Sequence, residues 1–439
     1  MNIQNKLTSR LQSGFSFLPT FDEQKITARA EDILLEIADQ MADNFPYHHP
    51  LYAGQMLKPP HPIAAAAYAM AMQLNPNNHA LDGGRASSQM EKDAVAHIAQ
   101  MFGFGQHLGH LSSNGTIANL EALWVAGRIH PDKIIVASEM AHYTHQRISA
   151  VLQLPFEIVA SDFLGRIDIS ALEQKLKTGN VGTVVATLGT TGAGAVDDLE
   201  SIVALQKKYD FRIHVDAAYG GYFTLSDQVN SRVKRQFQSI NQADSVVLDP
   251  HKHGLQPYGC GCVIFANPAV GQYYKHDSPY TYFSSKDLHL GEISLECSRA
   301  GASAVALYAT QQLLPCTPGG DFASMLNTCI ETARWLYHQI ENSIHMVPLF
   351  KPELDIVLWS LKGESAADIS RKNVLFFENC AKKNLHLALY QVRTDKLPPT
   401  LASIVKNENH VTVLRSCLMK PEHWDWKERI FDIMKTCEF

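Results

Sequence analysis

Two short apolar runs that stop abruptly in ionisable residues constrain the fold of this chain more than any other feature. His214-Val215-Asp216-Ala217-Ala218-Tyr219-Gly220-Gly221 and Ser245-Val246-Val247-Leu248-Asp249-Pro250-His251-Lys252-His253-Gly254 each read as a buried strand that delivers polar side chains to its end. In an open α/β sheet, the carboxyl ends of the strands form the rim at which ligands bind. One rim position offers an acid, Asp216, and another an amine, Lys252.

Further apolar runs at 133–138, 156–159, 181–188 and 259–265 alternate with helical patterns at 169–177 and 199–209 and with a helical run ending near Arg128. This alternation predicts an α/β fold with a mostly parallel sheet. Right-handed crossovers place all such strand ends on one rim, so Thr191, Asp216 and Lys252 can converge despite their separation in sequence. The large domain is expected over 102–316. Residues 1–101 read as a helical and extended segment: a helix within 22–45 with Ile26, Ile33, Leu34, Ile37 and Met41 on one face, a proline-rich arm over 46–62, and helices at 63–74 and 89–101. Residues 317–439 read as a smaller C-terminal α+β domain, with helices at 322–340 and 369–382, strands at 354–361, 385–392 and 410–417, and a terminal helix.

With 439 residues, 46% of them hydrophobic and 19% charged, the chain is long enough for both domains. A formal net charge of -6 gives no electrostatic reason to expect nucleic acid as a partner. Eight cysteines follow neither a disulfide nor a metal-ligand spacing, which suits a reducing compartment. Cys260-Gly261-Cys262 is too tight for a metal clamp and reads as part of a strand. The His48-His49 pair lacks acidic or cysteine partners, so no metal site is expected. No signal-peptide core and no membrane-length apolar window are evident, and a soluble cytoplasmic protein is the expectation.

A rim lysine can form a Schiff base and a carboxylate can keep a pyridine nitrogen protonated, the pair that pyridoxal phosphate chemistry requires. Small and hydroxylated residues at 111–116 precede a helical run, so a helix N-terminus there, capped by Ser113, Asn114 or Thr116, would suit a phosphate. The glycines of Gly189-Thr190-Thr191-Gly192-Ala193-Gly194 permit tight turns near a ligand. The blocks HVDAAYGG and SVVLDPHKHG resemble those of the group II pyridoxal-phosphate-dependent amino acid decarboxylases, the glutamate, aromatic amino acid, histidine and diaminobutyrate decarboxylases among them. The resemblance runs over 46–299 by motif and more loosely beyond.

That resemblance implies the type I, aspartate aminotransferase-like fold and a homodimer whose arm borders the substrate pocket. It implies Lys252 as the Schiff-base lysine and Asp216 as the ring-nitrogen partner. His142 matches the histidine that stacks on the cofactor ring, with His145 as its competitor. Ala218 would press on the other face, Gly115, Thr116, Ser245 and His251 would lie on the phosphate side, and Thr191 beside the cofactor. Arg299, in a stretch resembling the family's SRxG block, would bind the substrate carboxylate or brace the domain interface. The polar, aromatic stretch 272–285 reads as a closing loop, on which Tyr282 or Tyr280 would protonate the product carbanion. One departure is Asp249, where the family often has Asn, which puts the hydrogen bond of that Asn in doubt.

The function expected is decarboxylation of an L-amino acid to its amine and carbon dioxide. The alternatives are a pyridoxal-phosphate-dependent carbon-carbon lyase or aldehyde-forming enzyme, and a catalytically silent binding protein. Neither Arg299 nor the arm near Gln55 separates an acidic substrate from an aromatic one.

Overall fold

Strands in the middle of a parallel sheet are covered on both faces, so their side chains have to be apolar in both directions. The computed structural model of the chain describes residues 3–20, 25–79, 83–275 and 293–437. Among these residues, β1 (Leu108–Ser112), β2 (Ile134–Ser138), β3 (Phe156–Val159), β4 (Val181–Thr187), β5 (Arg212–Asp216), β6 (Ser245–Leu248) and β7 (Gly261–Phe265) form one sheet in the order β1-β7-β6-β5-β4-β2-β3. All residues of the central β4, β6 and β7 are buried. Strands β2 to β6 run parallel, and β7 is antiparallel to both its neighbours. The mostly parallel α/β sheet is therefore as the sequence predicts. Thr187 lies opposite Asp216, and Asp216 opposite Val247, so the ends of β4, β5 and β6 form one rim.

Strand β1 was hidden in the sequence by Gly109 and His110, which interrupt its apolar pattern. Gly109 lies so close to β7 that a Cβ on it would stand 2.8 Å from the Val263 carbonyl oxygen. Cys260 and Cys262 are buried beside and within β7, and burial pushes both thiols up, as suits inert core residues.

A second, antiparallel sheet contains β8 (Met346–Pro348), β9 (Ile356–Leu361), β10 (Ala388–Arg393) and β11 (His410–Cys417) in the order β10-β11-β9-β8. Helices Asp321–Glu341, Ala366–Lys382 and His423–Lys435 contribute to its core with Leu336, Ile340, Phe376, Ile430 and Met434. The proline-rich arm is more than a linker. Ala53 N–H donates to the His386 carbonyl and the Ala53 carbonyl accepts from Cys417 N–H, each at 2.8 Å, so the arm is laced into this second sheet. Leu51 and Ala53 share its core.

The helix Ala28–Met41, capped by Thr27, has no buried residue, and Ile33, Leu34, Leu35, Ile37 and Met41 are exposed on it. Among the described residues, no helix is long and apolar enough to cross a membrane, and no group of three or more His, Cys, Asp or Glu side chains is placed to hold a metal ion.

Candidate active site

The rim opens into a cleft of about 170 Å³ whose lining includes Gly115, Thr116, His142, Thr191, Asp216, Ala218, His251 and Lys252. Eight residues singled out from the sequence thus share one cavity, brought together by strand polarity. Asp216 is the last residue of β5 and is buried. Its Oδ2 accepts a hydrogen bond from His145 Nε2 at 2.8 Å, and its Oδ1 from the Ala218 N–H at 3.1 Å. Burial alone would raise the Asp216 carboxyl, but the His145 hydrogen bond and the Lys252 charge outweigh it and hold the group well below the usual carboxylate range. Asp216 is therefore an ionised carboxylate in a poorly solvated place.

The two histidines that sequence could not separate take different positions. His142 lines the cleft, where burial lowers its proton affinity against the opposing charge of Asp216. His145 is fully buried behind it as the partner of Asp216. The direct service of His145 to Asp216 was not anticipated, because it depends on where a strand 71 residues away ends.

Helix Gly115–Ile129 starts at the cleft. Asn114 caps it by accepting from Ile117 N–H, which leaves the first turn at Gly115 and Thr116 facing the cavity with the helix's partial positive charge. Asn119, on the same helix, also lines the cleft; its side-chain amide donates to the Gly115 carbonyl and its oxygen accepts from His214 Nε2 at 2.7 Å. His214 Nδ1 accepts in turn from the Ser245 hydroxyl at 2.9 Å. Ser245 is the first residue of β6, and a strand of this length puts it about 10 Å from the rim end. It is not among the lining residues, which corrects its expected place on the phosphate side.

Asp249, where the related enzymes often have Asn, is buried beside the first helical turn: a Cβ on Gly115 would stand 2.7 Å from its Oδ2. The same oxygen lies 3.0 Å from Lys252 Nζ and 3.6 Å from His251 Nε2. His251 is fixed by its Nδ1, which donates to the Cys260 carbonyl at 2.7 Å. Among the described residues, Asp249 Oδ1, Thr187 Oγ1 and His145 Nδ1 are buried polar atoms without a hydrogen-bond partner.

Arg299 is not among the lining residues. Its Nη1 donates to Glu91 Oε1 and to the Leu111 carbonyl, both at 2.5 Å, and both side chains are nearly inaccessible. The guanidinium thus links Glu91 of the helix Arg85–Met101 to the Leu111 carbonyl of β1. Tyr280 and Tyr282 lie outside the described residues.

Comparison with known proteins adds three findings. Residues 24–362 match the pyridoxal-dependent decarboxylase conserved domain. The L-tyrosine decarboxylase of Enterococcus faecium is 27% identical over 464 residues, covering 78% of this chain and 75% of its own, and a probable L-tyrosine/L-aspartate decarboxylase of Methanocella arvoryzae is 29% identical, covering 74% and 84%. The crystal structure of mouse CSAD superposes with a TM-score of 0.79 at 18% identity, covering 97% of this chain and 91% of that one.

Proposed function

The chain belongs to the pyridoxal-dependent decarboxylase family, and from that premise we propose how its own residues convert an L-amino acid to an amine and carbon dioxide. It is a pyridoxal-phosphate-dependent carboxy-lyase of the type I fold. The observation that carries the scheme is that an ionised buried carboxylate, a lysine amine and a helix N-terminus all face one cleft. The cleft suits the cofactor chemically. Asp216 matches a protonated ring nitrogen, the Gly115 turn matches a phosphate, and the unpartnered Asp249 Oδ1 and Thr187 Oγ1 are polar atoms left for a ligand. Asp249 adds negative charge beside the phosphate seat, offset by Lys252 Nζ and the helix dipole.

When bound, pyridoxal phosphate supplies the sink for the electron pair released as carbon dioxide leaves. Lys252 tethers it through its amine. Asp216 keeps the proton on the ring nitrogen, and His145 holds Asp216 in place and in charge. With the cofactor bound, His142 would cover one face of the ring and Ala218 the other. Gly115, Thr116 and His251 would hold the phosphate, and Thr191 would lie beside the cofactor. Tyr282 or Tyr280 would donate the proton that replaces carbon dioxide.

The curated relatives are named for tyrosine and aspartate. Among the described residues lining the cleft, Lys252 is the one Lys or Arg side chain, and Arg299 is committed to Glu91. The L-tyrosine decarboxylases among those relatives favour an aromatic side chain over an acidic one. The exposed apolar strip on the helix Ala28–Met41 supports a homodimer that covers it. Eight free thiols, with the Cys380 and Cys437 sulfurs only 3.4 Å apart, support a reducing, cytoplasmic location.

Incubation of the protein reconstituted with pyridoxal phosphate and a panel of single L-amino acids, with amine and carbon dioxide measured together, tests the reading. Equimolar tyramine and carbon dioxide from tyrosine is the expected result. Product from aspartate alone would overturn the aromatic assignment.

A further inference from the structure

On the far side of the rim a second carboxylate is buried that the scheme above does not use. Asp355 stands one residue ahead of β9 and is fully buried. The Tyr219 hydroxyl donates to its Oδ1 at 2.6 Å, and His253 Nε2 lies 3.1 Å from its Oδ2. Tyr219 follows Ala218 in the chain and His253 follows Lys252. One carboxylate from the second sheet thus engages Tyr219, which itself lines the cleft beside Ala218, and lies next to His253, the residue after Lys252.

The surroundings make this engagement rigid. The His253 ring meets Tyr219 edge-on at 4.9 Å and Phe223 at 4.7 Å, and Cys417 Sγ of β11 lies 3.4 Å from the Tyr219 hydroxyl. Burial by itself would raise the Asp355 carboxyl, but His253, the Tyr219 hydroxyl and Lys58 outweigh it and hold the group down, so it is ionised. Burial, reinforced by Asp355, pushes the Tyr219 hydroxyl well up, which keeps it a donor. Burial lowers His253 against the opposing pull of Asp355.

Apolar side chains would fill the same space without the cost of desolvating a charge, so packing alone does not account for the cluster. Hydrogen bonds have direction, and a buried network fixes distances that apolar contact leaves loose. The neighbouring backbone passes the constraint on: a Cβ on Gly220 would stand 2.1 Å from the Leu188 carbonyl oxygen, so the turns after β4 and β5 are in close contact.

We propose that Asp355 is a positioning residue for the cofactor cleft, holding the end of β5, with Asp216 and Ala218, at a set distance from Lys252 beyond the end of β6. It lies outside the cleft lining itself, acts through the cleft-lining Tyr219 and through His253, and touches no reacting atom. The inference rests on Lys252 being the residue that tethers pyridoxal phosphate.

Two full-chain variants test it. Asp355→Asn keeps the size and an acceptor for Tyr219 but removes the charge, and Tyr219→Phe keeps the ring but removes the donor. Pyridoxal phosphate is titrated into each, with affinity read from intrinsic fluorescence and the placement of the bound group from its visible circular dichroism at saturation. Asp355→Asn is expected to weaken binding about tenfold and to lower the circular dichroism band, with Tyr219→Phe following in the same direction and the double variant no worse than Asp355→Asn alone. Unchanged affinity and an unchanged band in the variants, whatever the loss of melting temperature, overturn the proposal. Should Asp355→Asn fail to fold, Tyr219→Phe decides by the same readings. A Lys252→Ala protein with the wild-type spectrum would sink the tether, and this inference with it; a lysine-dependent band together with indifferent variants would sink this inference alone.

Discussion

Asp216 and Asp355 are both buried carboxylates held below the ordinary range, and they approach the same strand ends from opposite sides. Asp216 takes its partner, His145, from the rim itself and opens onto the cleft. Asp355 comes from the second sheet, is fully buried outside the cleft lining, and holds Tyr219, which lines the cleft, and lies beside His253. Similar electrostatics therefore serve different ends. A buried charge that faces a cavity is available to chemistry, whereas one buried away from the cavity and bonded by a tyrosine hydroxyl fixes geometry.

The largest effect expected away from the cleft is on stability. Arg299→Met strands the buried Glu91 carboxylate and should cost about 3–5 kcal/mol in denaturant unfolding, with KM unaltered. A raised KM at an unchanged unfolding midpoint would instead move Arg299 to the substrate and blur the division between front and back. On the cleft side, Asp216→Asn removes the charge opposite the ring nitrogen, and kcat should fall about 10²–10³-fold in steady-state assays while pyridoxal phosphate still binds. A loss confined to cofactor affinity would make Asp216 resemble Asp355 and abolish the contrast.

His145→Gln sharpens it further. Losing a hydrogen bond to a charged group is worth about 1.5–3 kcal/mol, so a fall in kcat of about tenfold or somewhat more is expected, with a smaller change in melting temperature. The remaining test is a pH dependence. Burial, aided by the charge of His145, lowers His214 to about 3, and burial with Lys420 lowers His423 to about 3. Unfolded, each would take up a proton near pH 6.5. The unfolded chain then binds more protons than the folded one, so this contribution is complete above about pH 6.5. It is lost as pH falls towards 3, by up to about 1.4 kcal/mol per unit per histidine. His214→Gln should flatten the acid limb of stability measured against pH.

Apart from β1, the strands of the large sheet were legible as short apolar runs closed by polar residues, and the rim residues were legible because strand polarity collects them. Ser245 shows the limit of that logic. It belongs to the right strand but to the wrong end, and a motif carries no ruler for the distance between the two. His142 and His145, three residues apart, looked alike in sequence, and the end of β5 distinguishes them. Asp355 carried no signal at all, because its hydrogen-bond partner Tyr219 is 136 residues away. Strand β8, three residues long and ending in Pro348, is too short for a period of two to show.

The strip of Ile33, Leu34, Leu35, Ile37 and Met41 along the helix Ala28–Met41 has a consequence for the life of each new copy. This part of the chain leaves the ribosome long before β9 and β11 exist, so an exposed apolar strip is made early, and among the described residues the finished fold does not bury it. Until something covers it, any other apolar surface will serve. The interval between synthesis and cover is the period of greatest risk of aggregation, and it lengthens when few copies are being made.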